Sequence, residues 1–165
     1  MPRRSALSPV QLLVLVIAIL GAVMLVVAEF TTVLRVQTLA GHHIASVQAG
    51  PRHLYALALI GILAIPMAWL AVRGSRPALL ALGALGFVAA MIAIVGDLPD
   101  VGRQDVTRNA ARGLGLAEAN AGPALYFETL GAVMLIVATG LGLILDARVP
   151  AVGPRSKIGR PRETG

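Results

Sequence analysis

The chain has 165 residues, of which 57% are hydrophobic and 13% charged, with a mean hydropathy of +0.82, a balance that excludes an ordinary water-soluble domain and places the chain in a bilayer. Its lack of cysteine excludes a disulfide-stapled scaffold, a thiol exchanger and thiolate metal centres. The formal charge of +6 would suit nucleic acid if spread over a soluble surface, so its placement along the chain decides its meaning.

A helix crossing a hydrocarbon core needs about 20 apolar residues, and four stretches meet that length. After residues 1–9, which carry Arg3 and Arg4, the first span is predicted over 10–32 with Leu12–Ala28 as its apolar heart. This run exceeds the apolar stretch of about 7–15 residues in a signal peptide, although Val26-Val27-Ala28 would be a tolerable cleavage site. Cleavage would leave three helices. The connection 33–53 contains an alternating stretch from Val33 to Leu39, a turn signal at Gly41 with His42 and His43, and a second short apolar stretch from Ile44 to Val47. That pattern predicts a β-hairpin, with Arg35-Val36-Gln37 facing Ser46-Val47-Gln48. A lone hairpin is marginal in water, so it needs support from the other connection or from a partner.

The second span is predicted over 54–72 and bent at Pro66, which removes a backbone donor and releases the carbonyl of Ile62. A link at 73–77 leads into a third span over 78–96. Gly96-Asp97-Leu98-Pro99-Asp100 then reads as a helix end and turn whose acids cap backbone amides; their spacing is not that of an EF-hand. Within the connection 97–123, a short interfacial helix is expected around Thr107–Ala119. The fourth span, 124–145, is interrupted only by Glu128 and Thr129. In the tail, 146–165, Arg155, Lys157, Arg160 and Arg162 lie among prolines. It reads as a disordered segment drawn to anionic lipid headgroups at about 1 kcal/mol per basic residue, with nothing beyond charge to suggest nucleic acid.

With four spans, the side holding both termini and the 73–77 link carries nine basic residues against two acids, and the opposite side five against six. The positive-inside rule then makes both termini cytoplasmic. Phe30, Tyr55, Tyr126 and Phe127 fall at the outer ends of the spans and Trp69 near an inner end, as expected of rings that prefer the headgroup boundary. Small-residue pairs four apart offer close helix approach: Ala18 and Ala22, Ala64 and Ala68, Gly86 and Ala90, Ala89 and Ala93, Ala138 and Gly142.

Residues eleven apart on a helix share a face to within about 20°. By that arithmetic Glu29, His53, Asp97 and Glu128 each lie above the small-residue face of a different span, so all four are predicted to converge at the outer rim. Ionisable groups at membrane depth mark a candidate site, and this set can bind a divalent cation or relay a proton. Headgroup solvation, or ion pairs with Arg35 and Arg52, would explain the same residues without a ligand. The three histidines all lie in or beside the first outer connection, which excludes a haem held between two helices. No G-x-S-x-G, HExxH, P-loop or dinucleotide fingerprint occurs, so no cofactor and no enzymatic activity are predicted.

Glu29-Phe30, Gly96-Asp97-Leu98-Pro99-Asp100 and Phe127-Glu128-Thr129-Leu130-Gly131 together resemble small four-helix integral membrane proteins of actinobacterial type, a resemblance that covers most of the chain and implies no activity. In topology the chain is also similar to claudin-like tetraspans, without their loop tryptophan and cysteine pair. Small multidrug exporters share four helices and one essential glutamate, but theirs lies mid-span where Glu29 lies at the rim.

The sequence therefore predicts an all-α, four-transmembrane-helix bundle in the cytoplasmic membrane, both termini inside, with a hairpin in its first outer loop. Its expected role is that of an accessory, assembly or scaffolding subunit, with a membrane-protein partner or a second copy of itself. A small transporter or channel for protons or cations, using the rim residues, is the alternative.

Overall fold

The structure, a computed structural model, describes residues 7–38, 43–109 and 113–147. It is mostly helical. Helix α1 (Pro9–Glu29) starts at a capping box in which the Ser8 hydroxyl accepts from the Gln11 amide and the Gln11 side chain accepts from the Ser8 amide, satisfying two donors that a helix start leaves free. Strands β1 (Thr32–Thr38) and β2 (His43–Gln48) form the hairpin that the alternation predicted. A single turn of helix, α2 (Ala49–His53), ends where Leu54 and Tyr55 both adopt positive φ, and α3 (Ala56–Val72) follows with Pro66 inside it. Helix α4 (Arg76–Met91) continues through a π turn (Ile92–Asp97) and a 3-10 turn (Leu98–Asp100). Strands β3 (Gln104–Asn109) and β4 (Gly113–Ala121) precede α5 (Pro123–Ala147).

Two expectations are corrected here. The interfacial helix over Thr107–Ala119 does not form, because that stretch is split between β3 and β4. The all-α class consequently gives way to helices plus a four-stranded antiparallel sheet of order β2-β1-β4-β3. Its central seam joins the two connections: Leu34, Val36 and Thr38 of β1 lie opposite Ala121, Ala119 and Ala117 of β4. The support that the first hairpin lacks alone comes from the second connection. Within the hairpin the two triplets are offset from the expected facing: Arg35, Val36 and Gln37 lie opposite Ser46, Ala45 and His43, and Val47 and Gln48 lie opposite Leu34 and Thr32. Val33 and Leu34 are buried against Ala28, Ala49, Ala93, Ala124 and Leu125, which seats the sheet on the helix ends.

Three helical segments, Pro9–Glu29, Arg76–Asp100 and Pro123–Ala147, are long and apolar enough to cross a membrane, and Ala56–Val72 is apolar but shorter. Neighbouring helices run antiparallel, with α1 against α3 and α5, and α4 against the same two. Small residues line their contacts. A Cβ on Gly21 would stand 2.9 Å from the Gly131 carbonyl oxygen, and one on Gly61 2.6 Å from that of Ala22, so these backbones touch. Ala18, Ala22, Ala64, Ala68, Ala89, Ala93 and Ala138 are all buried, whereas Leu12, Leu13, Val16, Leu20, Leu59, Ile62, Phe87, Val133 and Ile136 point outward. The interior mixes these small residues with a few large ones, Leu25, Leu57, Leu82 and Leu135 among them, while the outside is a continuous surface of leucine, isoleucine and valine, larger than a water-soluble monomer exposes.

Candidate functional site

Beneath the sheet, the helix ends carry the molecule's buried ionisable groups. Glu29 ends α1, His53 ends α2, Asp97 ends the π turn, and Glu128 lies in the second turn of α5. Glu29, Asp97 and Glu128 are each 1% exposed or less. The His53 Nε2 is 2.8 Å from Asp97 Oδ2, and ligand atoms of His53, Asp97 and Glu128 all lie within 4.8 Å of one another. Three of the four residues that helical arithmetic placed at the rim therefore form one group.

Glu29 has a different task. Its Oε1 accepts from the backbone amides of Leu57 (2.7 Å) and Ala58 (3.3 Å). Helix α3 begins after Tyr55, in a left-handed conformation with no side-chain cap of its own. Its orphaned amides are satisfied by a carboxylate from the neighbouring helix, whose charge also suits the positive end of the helix dipole. Nothing in the local sequence of α3 announces this cap, since the capping residue lies 28 positions upstream.

Asp97 and Asp100 were expected to cap backbone amides at the end of the third span; neither does. The helix runs on through the π and 3-10 turns without a side-chain cap, and both acids turn toward Arg52 instead. The guanidinium Nη2 donates to Asp100 Oδ2 (2.5 Å) and to the Gly96 carbonyl (2.7 Å), while Nε stands 2.8 Å from Asp97 Oδ1. The Nε contact is an ion pair by distance only: no hydrogen is aimed at Oδ1, which is left without a hydrogen-bond partner. The hydrogen bond to Asp100 and the nearby charge of Asp97 raise the Arg52 pKa above its already high ordinary value, so this group is a permanent cation. Arg103 adds a second, exposed contact to Asp100 at 3.3 Å.

The buried carboxylates remain undersupplied with partners. Glu29 Oε2, Asp97 Oδ1 and both oxygens of Glu128 are buried without a hydrogen-bond partner. Arg52, among the described residues the one permanent cation touching the group, is shared between Asp97 and Asp100. Burial of an unpaired carboxylate costs several kcal/mol, so the arrangement calls for further positive charge, as protons or as a cation.

Of the other histidines, His43 lies exposed in β2 and is not part of the group, and His42 lies outside the described residues, as do Arg155, Lys157, Arg160 and Arg162 of the tail. At the opposite end of the helices a cavity of about 240 Å³ is lined by residues that include Gln11, Val72, Leu79, Gly142 and Asp146. There the Gln11 amide donates to the Val72 carbonyl at 3.2 Å, and Arg76 pairs with Asp146. Comparison with protein-family models, curated proteins and solved structures finds nothing that matches this chain.

Proposed function

We propose that the chain is a four-crossing membrane protein with both termini cytoplasmic, and that it acts as an accessory or assembly subunit through the sheet on its outer face. The seam between β1 and β4 supports the fourth crossing. Both connections must lie on one side of the bilayer to share a sheet, so the number of crossings between them is even. Helix α4 is long and apolar enough to be one, and α3 is then the other. Hydrogen bonds at both its ends agree, since α3 reaches from the level of Glu29 to that of Gln11 on the antiparallel α1.

The docking role rests on the sheet itself. Among the described residues its outer strands, β2 and β3, each pair on one side only, and an open edge is a template for a strand from another chain. The exposed residues of β2, among them Ala45 and Ser46, lie on such an edge. A photoreactive amino acid at Ser46 should capture a discrete membrane protein or a second copy of the chain in intact cells, and the same probe at the outward-facing Phe87 should not. Failure to capture anything at Ser46 would dispose of the docking role.

The orphaned carboxylates favour a second reading, passage of protons or cations through the rim group. Reconstituted vesicles should then show a flux that disappears in Glu128→Gln; vesicles with no flux remove this reading and leave the first intact.

A further inference from the structure

We infer that His53, Asp97 and Glu128 form a binding site for one divalent transition-metal cation of zinc type, which ties α2, the end of α4 and α5 together under the sheet. The inference does not depend on the docking role, because it concerns the interior beneath the sheet rather than its edge.

Glu128 carries the argument. It is fully buried, both its oxygens lack a partner, and it shares a space less than 4.8 Å across with an imidazole nitrogen and a second carboxylate. A carboxylate kept at such a place solely for packing would be replaceable by an apolar residue at no loss. Charge points the same way. Glu29, Asp97 and Glu128 are buried acids, and the guanidinium beside them is already divided between Asp97 and Asp100. One dication among the ligand atoms of His53, Asp97 and Glu128 supplies the missing charge beside the unpartnered Glu128 carboxylate.

The donor set selects the class of ion. One imidazole and two carboxylates without thiolate suit zinc and its first-row neighbours, while calcium and magnesium favour oxygen alone. Three protein ligands leave one position of a tetrahedron for water. Ligand atoms around a tetrahedral zinc stand about 3.3 Å apart when bonds are about 2.0–2.1 Å. The His53–Asp97 separation of 2.8 Å must open slightly, and the other separations in the group, 4.8 Å at most, must close by no more than about 1.5 Å, a change within reach of side-chain torsions. Arg52 then stands as the outer charge partner of Asp97, its Nε 2.8 Å from Oδ1 while Oδ2 faces the imidazole. The ligands come from three elements far apart in sequence, so an ion here would fasten the outer ends of separate helices.

The test uses the full chain purified in mild detergent, stripped with a chelator and titrated with Zn²⁺, with Co²⁺ as a visible-absorption probe. Expected are one equivalent of Zn²⁺, a Co²⁺ spectrum of tetrahedral or five-coordinate type, and a rise in unfolding temperature that Mg²⁺ and Ca²⁺ at the same concentration do not produce. Glu128→Gln preserves size and should weaken Zn²⁺ binding at least tenfold, and His53→Gln should do the same. Failure of the wild-type chain to bind overturns the inference. Binding that survives both substitutions overturns it as well, because the ion then lies elsewhere. Equal binding of Mg²⁺ overturns the zinc-type assignment.

Discussion

At the scale of single residues, the outer rim shows how one side-chain type takes different tasks according to what its neighbours lack. Glu29 meets a helix start with free amides and becomes a cap. Glu29→Gln keeps a carbonyl oxygen for the Leu57 amide and should cost little. Glu29→Ala leaves buried amides unsatisfied and should lower stability by about 1–2 kcal/mol, read as the unfolding midpoint in detergent. Loss of the same size in both variants would mean that charge, not the acceptor, is what α3 needs. Arg52 is a sharper case. Its guanidinium contacts Asp97, Asp100 and the Gly96 carbonyl at once, a fork that the point charge of lysine does not reproduce. Arg52→Lys should therefore recover little of the roughly 3 kcal/mol expected to be lost in Arg52→Gln, where a buried acid loses its partner. A lysine variant as stable as wild type would reduce the contact to simple charge balance.

At the scale of elements, helical arithmetic accounts for Glu128, which lies within α5, whereas His53 is cut off from α3 by the left-handed Leu54 and Tyr55 and Asp97 ends a π turn, so those two reach the group through breaks in the helical period that the arithmetic did not contain. The first hairpin was legible too, since Val33–Leu39 alternates in the period of a strand. The second was not. Residues 113–121, GLGLAEANA, have the alanine, leucine and glutamate of a helix, and the alternate alanines Ala117, Ala119 and Ala121 that face β1 carry no β signal of their own. Pairing with β1 overrides propensity there, as a partner strand routinely does. The interhelical cap was illegible for the same reason, since its donor and acceptor belong to different helices. Glycine in α5 separates packing from propensity within one helix. A Cβ on Gly131 would stand 2.8 Å from the Gly21 carbonyl oxygen, whereas one on Gly140 meets nothing within 4 Å. Gly131→Ala should cost about 1–3 kcal/mol by forcing α1 and α5 apart, and Gly140→Ala should be neutral or stabilising by up to about 1 kcal/mol. Unfolding midpoints measured side by side decide it; equal effects would mean that α1 and α5 do not pack closely at Gly21.

At the scale of the whole molecule, the length of α3 falls short of the candidate spans, and it is connectivity that supports the proposed fourth crossing. Seventeen residues rise about 26 Å against a hydrocarbon core of about 30 Å, and a helix that short can lie on a surface. If α3 did so while α4 crossed, β1 and β4 would stand on opposite sides of the bilayer, and the five residue pairs between them could not form. The sheet thus supports the proposed crossing of α3, whose two ends carry aromatic contacts: Phe30 and Tyr55 in a tilted pair at one, Arg73 over the Trp69 ring at the other. In the proposed topology the charge excess gives the direction: Arg73 and Arg76 flank the short link between α3 and α4, and the positive-inside rule assigns that link to the inside with the termini. Because the chain has no cysteine, single cysteines read this cleanly. A membrane-impermeant maleimide applied to intact cells should label a cysteine at Ser46 and spare one at Ser75, and permeabilisation should expose the second. Labelling of both in intact cells would mean that α3 does not cross, and labelling of Ser75 alone would invert the protein. Either result would also overturn the docking proposal, since the sheet edge would no longer face the outside with both termini within.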